Sequence, residues 1–96
     1  MRIVVCGLGS MGKRRLEILH EKFPDFQICG VDSKQDRVDS VKDKTAYRDT
    51  DFLQAFHSFK PEVVFICSPP LTHAEIVLFS LNNGAHTFSE INLVSK

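Results

Sequence analysis

The chain has 96 residues, 43% hydrophobic and 25% charged, with twelve basic side chains against twelve acidic ones. That is the size and composition of one small globular domain, 1–96, with a single core. Zero formal charge gives no attraction to nucleic acid or to an anionic membrane surface, and no apolar run approaches the length that crosses a bilayer.

The first element is Arg2 to Cys6 (RIVVC), rich in β-branched residues and read as a buried strand. Ser10 to Lys22 has helical periodicity, with Met11, Leu16, Leu19 and Phe23 near one face. Pro24 and Asp25 end it. Gln27 to Val31 (QICGV) reads as a second strand and Asp36 to Val41 as a weak helix. Thr45 to Tyr47 is expected to be a short strand, and Thr50 to Phe59 a helix carrying Phe52, Leu53, Phe56 and Phe59. Glu62 to Cys67 (EVVFIC), introduced by Pro61, is the most apolar strand. Thr72 and Glu75 have capping-box spacing, so a helix is expected to begin there. Asn83-Gly84 closes it, with Gly84 suited to the left-handed position past a helix end. Ala85 to Ser89 is the last strand.

Alternating strands and helices with near-continuous apolar strands predict an α/β fold, a parallel sheet covered on both faces. Right-handed crossovers give a doubly wound, Rossmann-type sheet of about five strands in order 3-2-1-4-5. A complete sheet of this kind has a sixth strand, so a truncated copy is expected. Cys6, Cys29 and Cys67 lie in or at the end of apolar runs and match no zinc spacing. They read as small buried hydrophobes in a reducing, cytoplasmic setting, with no metal site.

The chemistry gathers at three loops. Gly7-Leu8-Gly9-Ser10-Met11-Gly12 is a GxGxxG run placed between an apolar strand and an amphipathic helix. In that context Gly7 permits a tight turn, Gly9 a close approach to a pyrophosphate, and Gly12 close helix–strand packing. The helix N-terminus would face the phosphates. The competing interpretation is a glycine turn with no ligand. Asp32 follows the second strand, twenty residues beyond Gly12, where an acid binds the adenosine ribose hydroxyls. A carboxylate there favours NAD over NADP, although Ser33, Lys34 and Arg37 nearby leave NADP possible. As an alternative, Asp32 is a turn or cap residue. The third loop, Cys67-Ser68-Pro69-Pro70-Leu71-Thr72-His73, follows the fourth strand into the same crevice. Glu90 ends the fifth strand on that side. His20, His57 and His86 receive no role, and Arg14 and Arg15 read as a solvated helix face.

Taken in order, VVCGLGSMGKRR, GVD, VVFICSPPLTHAEI and NNGAHTFSE resemble the N-terminal half of the glucose-fructose oxidoreductase / inositol dehydrogenase / MocA family. The resemblance covers essentially the whole chain. It implies NAD(P)-dependent oxidation or reduction of a sugar or polyol, oligomeric assembly, and cofactor roles for Gly7, Gly9, Gly12, Asp32, Ser68, Pro69, His73 and Glu90. It also exposes departures. The family's Glu-Lys-Pro corresponds here to Glu90-Ile91-Asn92, and Ile91 can donate no proton. The family's C-terminal substrate domain has no counterpart. The expectation is therefore a dinucleotide-binding domain with no catalytic residue of its own, inactive as an isolated chain. A bare sheet edge favours a homo-oligomer or a partner chain covering the exposed sheet. Two alternatives stand: a non-catalytic NAD-sensing or partner-binding module, and, more distantly, a fragment of an S-adenosylmethionine-dependent methyltransferase.

Overall fold

In the computed structural model, the described residues are 1–67, 80 and 82–89. Their strands are β1 (Arg2–Cys6), β2 (Gln27–Val31), β3 (Tyr47–Asp49), β4 (Val63–Ile66) and β5 (His86–Ser89). Between them lie helices α1 (Ser10–Lys22), α2 (Gln35–Asp39) and α3 (Phe52–Phe59), with a short 3-10 turn at Lys42–Lys44. The sheet runs β3-β2-β1-β4-β5, the order expected from the alternation of elements. Every neighbouring pair is parallel. The helix expected from Thr72 lies outside the described residues over most of its length. At its far end Gly84 takes φ +81°, the left-handed conformation that glycine adopts without strain.

Register places the carboxyl ends of all five strands on one edge. Cys6 lies opposite Val31 and Ile66, Val31 opposite Asp49, and Ile66 opposite Ser89. Side chains alternate across the sheet, so β1 feeds two cores. Ile3 and Val5 pack with Leu16 and Leu19 of α1 and Val38 of α2. Val4 and Cys6 pack with Ala55 and Phe56 of α3 on the other face. A strand buried on both sides needs apolar residues throughout, which is why VVC and VVFI lack polar alternation.

Several sequence expectations shift, and the weak helix expected over Asp36 to Val41 runs Gln35–Asp39. Met11 and Phe23 are 45% and 46% exposed, while Gly12, Leu16 and Leu19 form the buried stripe of α1. Met11 stands one residue, and so about 100°, off that stripe. Pro24 forces Phe23 out of helical geometry, to φ −131° and ψ 71°, where it stacks on Phe26 instead. The third strand begins at Tyr47 rather than Thr45, because the 3-10 turn takes up chain and Thr45 Oγ1 donates back to Val41 O. The polar Arg48 and Asp49 are tolerated because β3 is an edge strand with all three residues half-buried. Finally, α3 starts at Phe52, since the Asp51 side chain accepts from Leu53 N and Gln54 N as its N-cap. Leu53, one of the apolar residues this helix carries, is 50% exposed.

Lys60 closes α3 at φ +52°, ψ 64°, a conformation that disfavours any side chain with a Cβ. Its carbonyl accepts from Arg2 Nε at 2.9 Å, a bond to the backbone that any residue at this position keeps. Lys60→Gly is expected to raise stability by about 1 kcal/mol, read as a higher denaturation midpoint with an unchanged slope.

Candidate nucleotide site

The carboxyl edge of the sheet is where the three loops meet. Gly7 leaves β1 at φ +96° and its N–H donates to Val31 O at 2.7 Å. This tight turn carries the chain straight into α1. Gly9 occupies the N-cap position without a side chain to cap it, and the first turn of α1 contains no acidic residue. The helix therefore presents its N-terminal end to the crevice with neither a capping oxygen nor a carboxylate in the way. Ser10 and Met11 on this turn are exposed. A Cβ on Gly12 would lie 1.7 Å from Gly7 O and 2.7 Å from Gly7 C, so only glycine lets α1 sit this close to β1.

Leu8 has two roles. Its side chain, 1% exposed, is driven into the α1–α2 core and anchors the loop. Its N–H donates to Asp32 Oδ2 at 2.7 Å. Asp32 itself is buried, and its Oδ1 accepts from Lys34 N at 2.9 Å. The predicted ribose acid and the predicted glycine loop are thus joined by a direct hydrogen bond. A carboxylate offers about four acceptor positions, so both oxygens retain capacity for hydroxyl donors. Arg37, from the first turn after the loop, brings Nη1 to 3.6 Å of Asp32 Oδ2. Ser33 is exposed beside them.

Cys67 extends β4 past Ile66, its N–H donating to Cys6 O at 2.7 Å, and is half-buried beside Gly12. Ser68, Pro69, Pro70, His73, Glu90 and Ile91 lie outside the described residues. His20, His57 and His86 are exposed on α1, α3 and the first position of β5. Arg15 departs from the solvated-face expectation: it is half-buried, with its guanidinium 5.5 Å from the Phe65 ring centroid. Sequence reasoning also passed over Gly30. A Cβ there would meet Val41 Cγ2 at 3.1 Å and Leu8 Cδ1 at 3.3 Å, so this glycine makes room for the loop anchor. Glycine inside a strand pattern was the available signal.

The three cysteines are free thiols. Burial, then the charge of Asp32, pushes Cys6 from the ordinary 9.0 up to about 12, and burial followed by the charge of Asp49 does the same for Cys29. Neither is a usable nucleophile near neutrality.

The fold and site together define a dinucleotide-binding domain: a parallel sheet, a glycine turn under a helix N-terminus, and an acid at the end of the second strand. Residues 1–91 match the model of the Gfo/Idh/MocA oxidoreductase family for its NAD-binding Rossmann fold, and the chain belongs to that family. Among solved structures it is similar to apo scyllo-inositol dehydrogenase from Lactobacillus casei, 26% identical with a TM-score of 0.86, covering 97% of this chain and 28% of that one. A probable dehydrogenase from Thermotoga maritima is 28% identical, with a TM-score of 0.85 over 97% of this chain and 28% of that one. The WlbA dehydrogenase from Bordetella pertussis, in complex with NADH and UDP-GlcNAcA, shares the fold at 13% identity, with a TM-score of 0.79 and coverage of 93% and 28%. The chain therefore spans little more than a quarter of the length of these relatives. Comparison with curated proteins gives no match. Among the described residues, no helix is long and apolar enough to cross a membrane.

Two outcomes follow. Asp32→Ala leaves the buried Leu8 N–H without its acceptor and is expected to cost about 1–3 kcal/mol in denaturant unfolding. Because Cys6 and Cys29 are raised in the folded state, the unfolded chain releases their protons first as pH rises. Stability is fully present below pH 9.0 and falls toward about 12. A Cys6→Ala/Cys29→Ala double variant should lose less stability than the parent between about pH 8 and about pH 10.

Proposed function

We propose that this chain binds NAD(H) across its carboxyl edge and supplies the cofactor half of an oxidoreductase acting on a polyol or sugar derivative. The carrying observation is the Leu8 N–H to Asp32 Oδ2 bond, which joins the glycine loop and the ribose acid in one crevice. The pyrophosphate lies over Gly9, Ser10 and Met11 at the uncapped N-terminus of α1, with Gly7, Leu8 and Gly12 shaping the loop beneath. Asp32 takes the adenosine ribose hydroxyls, with Ser33 at the rim. The family resemblance assigns Ser68, Pro69, Pro70, His73 and Glu90 to cofactor binding as well. Bound NAD supplies a hydride acceptor, and NADH a donor.

Substrate class rests on the relatives, which include an inositol dehydrogenase. The chemistry also needs a substrate site and a group that moves the hydroxyl proton. Ile91 replaces the family lysine, so residues 1–96 alone bind cofactor without turning over a sugar. Three free thiols suit a reducing compartment such as the cytoplasm. A second copy or partner chain would pack on Phe88, which is 55% exposed on β5 and stacked on Phe65.

Calorimetric titration of the purified protein tests the cofactor reading. NADH should bind with a one-to-one stoichiometry, Asp32→Ala should weaken it by about tenfold or more, and S-adenosylmethionine should not compete. Saturable binding of S-adenosylmethionine without binding of NADH would reverse the reading.

A further inference from the structure

We propose that the chain carries a second ligand site, a cleft at the amino edge of the sheet that takes a small phosphate monoester. The cleft encloses about 700 Å³, the size of a small-molecule pocket. It opens where β1, β4 and β5 begin, at Arg2, Val63 and His86, and where α3 ends, at Lys60. β1 is five residues long, so the glycine loop lies about 13 Å away at its other end. The two sites are therefore separate.

Unanswered positive charge sets this cleft apart. Arg2 Nε donates to Lys60 O at 2.9 Å, which fixes the guanidinium against the backbone of Lys60. Two cationic side chains thus leave the rim together. Among the described residues, neither the Arg2 Nη groups nor Lys60 Nζ has a hydrogen bond or an ion pair. Glu62 is the one acid lining the cleft among those residues, and its Oε1 accepts from the Arg2 backbone N at 3.3 Å rather than from the guanidinium. The negative end of the α3 dipole accounts for the Nε bond, which lands on the cap carbonyl. It leaves the Nη and Nζ donors over. Like charges side by side repel, and an anion held between them turns repulsion into two charge-assisted contacts.

The backbone at Lys60 points the same way. Lys60 is the one non-glycine residue at positive φ among the described residues, at 52°, where glycine would sit with less strain. A strained position that keeps a charged side chain at the mouth of a cleft suits binding better than folding. A guanidinium takes phosphate through two parallel N–H donors, and an ammonium adds a point charge with three more. His57 and His86, both exposed, line the same cleft. Pro61 and Val63 are buried and apolar, a wall for the carbon part of the ligand. A phosphate on Arg2 and Lys60, with a sugar or a nucleoside behind it, meets both halves of this lining.

Titrating the full chain with glucose 6-phosphate, UMP and inorganic phosphate, followed by proton–nitrogen correlation NMR, tests the site. At least one ester should saturate with Kd below about 1 mM, and the shifted amides should gather at Arg2, His57, Lys60 and His86 rather than at Leu8, Gly9 and Asp32. The tighter ester identifies sugar or nucleoside as the source. Lys60→Gly should weaken that ester by about tenfold or more. Because the same change is expected to stabilise the fold and keeps the carbonyl that holds Arg2 Nε, a loss of binding cannot be read as unfolding. Arg2→Gln should weaken the ester to a similar degree. Unchanged affinity in either variant, shifts confined to the glycine loop, or no saturation by either ester would overturn the assignment. So would inorganic phosphate binding as tightly as the esters, since the apolar wall would then have no part in recognition.

Discussion

Helix α1 rests on the turn that launches it, with no space for a single side-chain carbon between them. A Cβ at position 12 would fall 1.7 Å from the carbonyl oxygen of Gly7. Everything at the carboxyl edge depends on that contact. It brings the N-terminus of α1 over the end of β1, and it requires Gly7 to leave the strand at φ +96°. The helix end then faces the crevice, where its unshared N–H groups suit an anion. A larger residue at position 12 would lift the helix, and the donors would no longer converge.

The same close approach explains why the neighbouring residues are what they are. Leu8 lies between the two glycines, and its side chain has nowhere to go but inward. It fills the α1–α2 core against Gly30, whose missing Cβ makes the room. With the side chain anchored, the Leu8 N–H is aimed at Asp32. The acid is thus part of the loop's own support as well as a candidate ligand to ribose. Its two oxygens are held by backbone donors from before α1 and after β2, so its position is set by the sheet rather than by its own rotamers. Arg37 enters from outside and is held by far less.

Two cores divide the labour. The α1–α2 face carries the loop anchor and therefore positions the site. The α3 face, with Phe56 and Ala55 on Val4, Cys6 and Ile66, buries the other side of the same strands. Cys6 and Cys29 belong to this second core, and burial there is what keeps their thiols protonated. On β5, Phe88 stacks on Phe65 and stays half-exposed.

Much was legible from the chain itself. β1, α1 and β2 fall where periodicity and Pro24 put them, and the strand order follows from alternation and handedness. The glycine turn was readable because glycine at fixed spacing after an apolar strand has a steric reason to be there. Family membership was readable for the same reason, and residues 1–91 carry it. Tertiary structure alone decided the rest. β3 slid to Tyr47–Asp49 because an edge strand tolerates Arg48 and Asp49, which local propensity disfavours. Leu53 and Met11 turned outward because burial depends on which strand lies beneath a helix, and periodicity does not say. Arg15 found Phe65, Leu8 found Gly30, and Arg37 found Asp32 through separations that no local pattern encodes. Sequence determined which residues can turn and pair, and the family to which the chain belongs. Only packing decided which of them face one another, because that depends on how closely α1 and α2 settle onto the sheet.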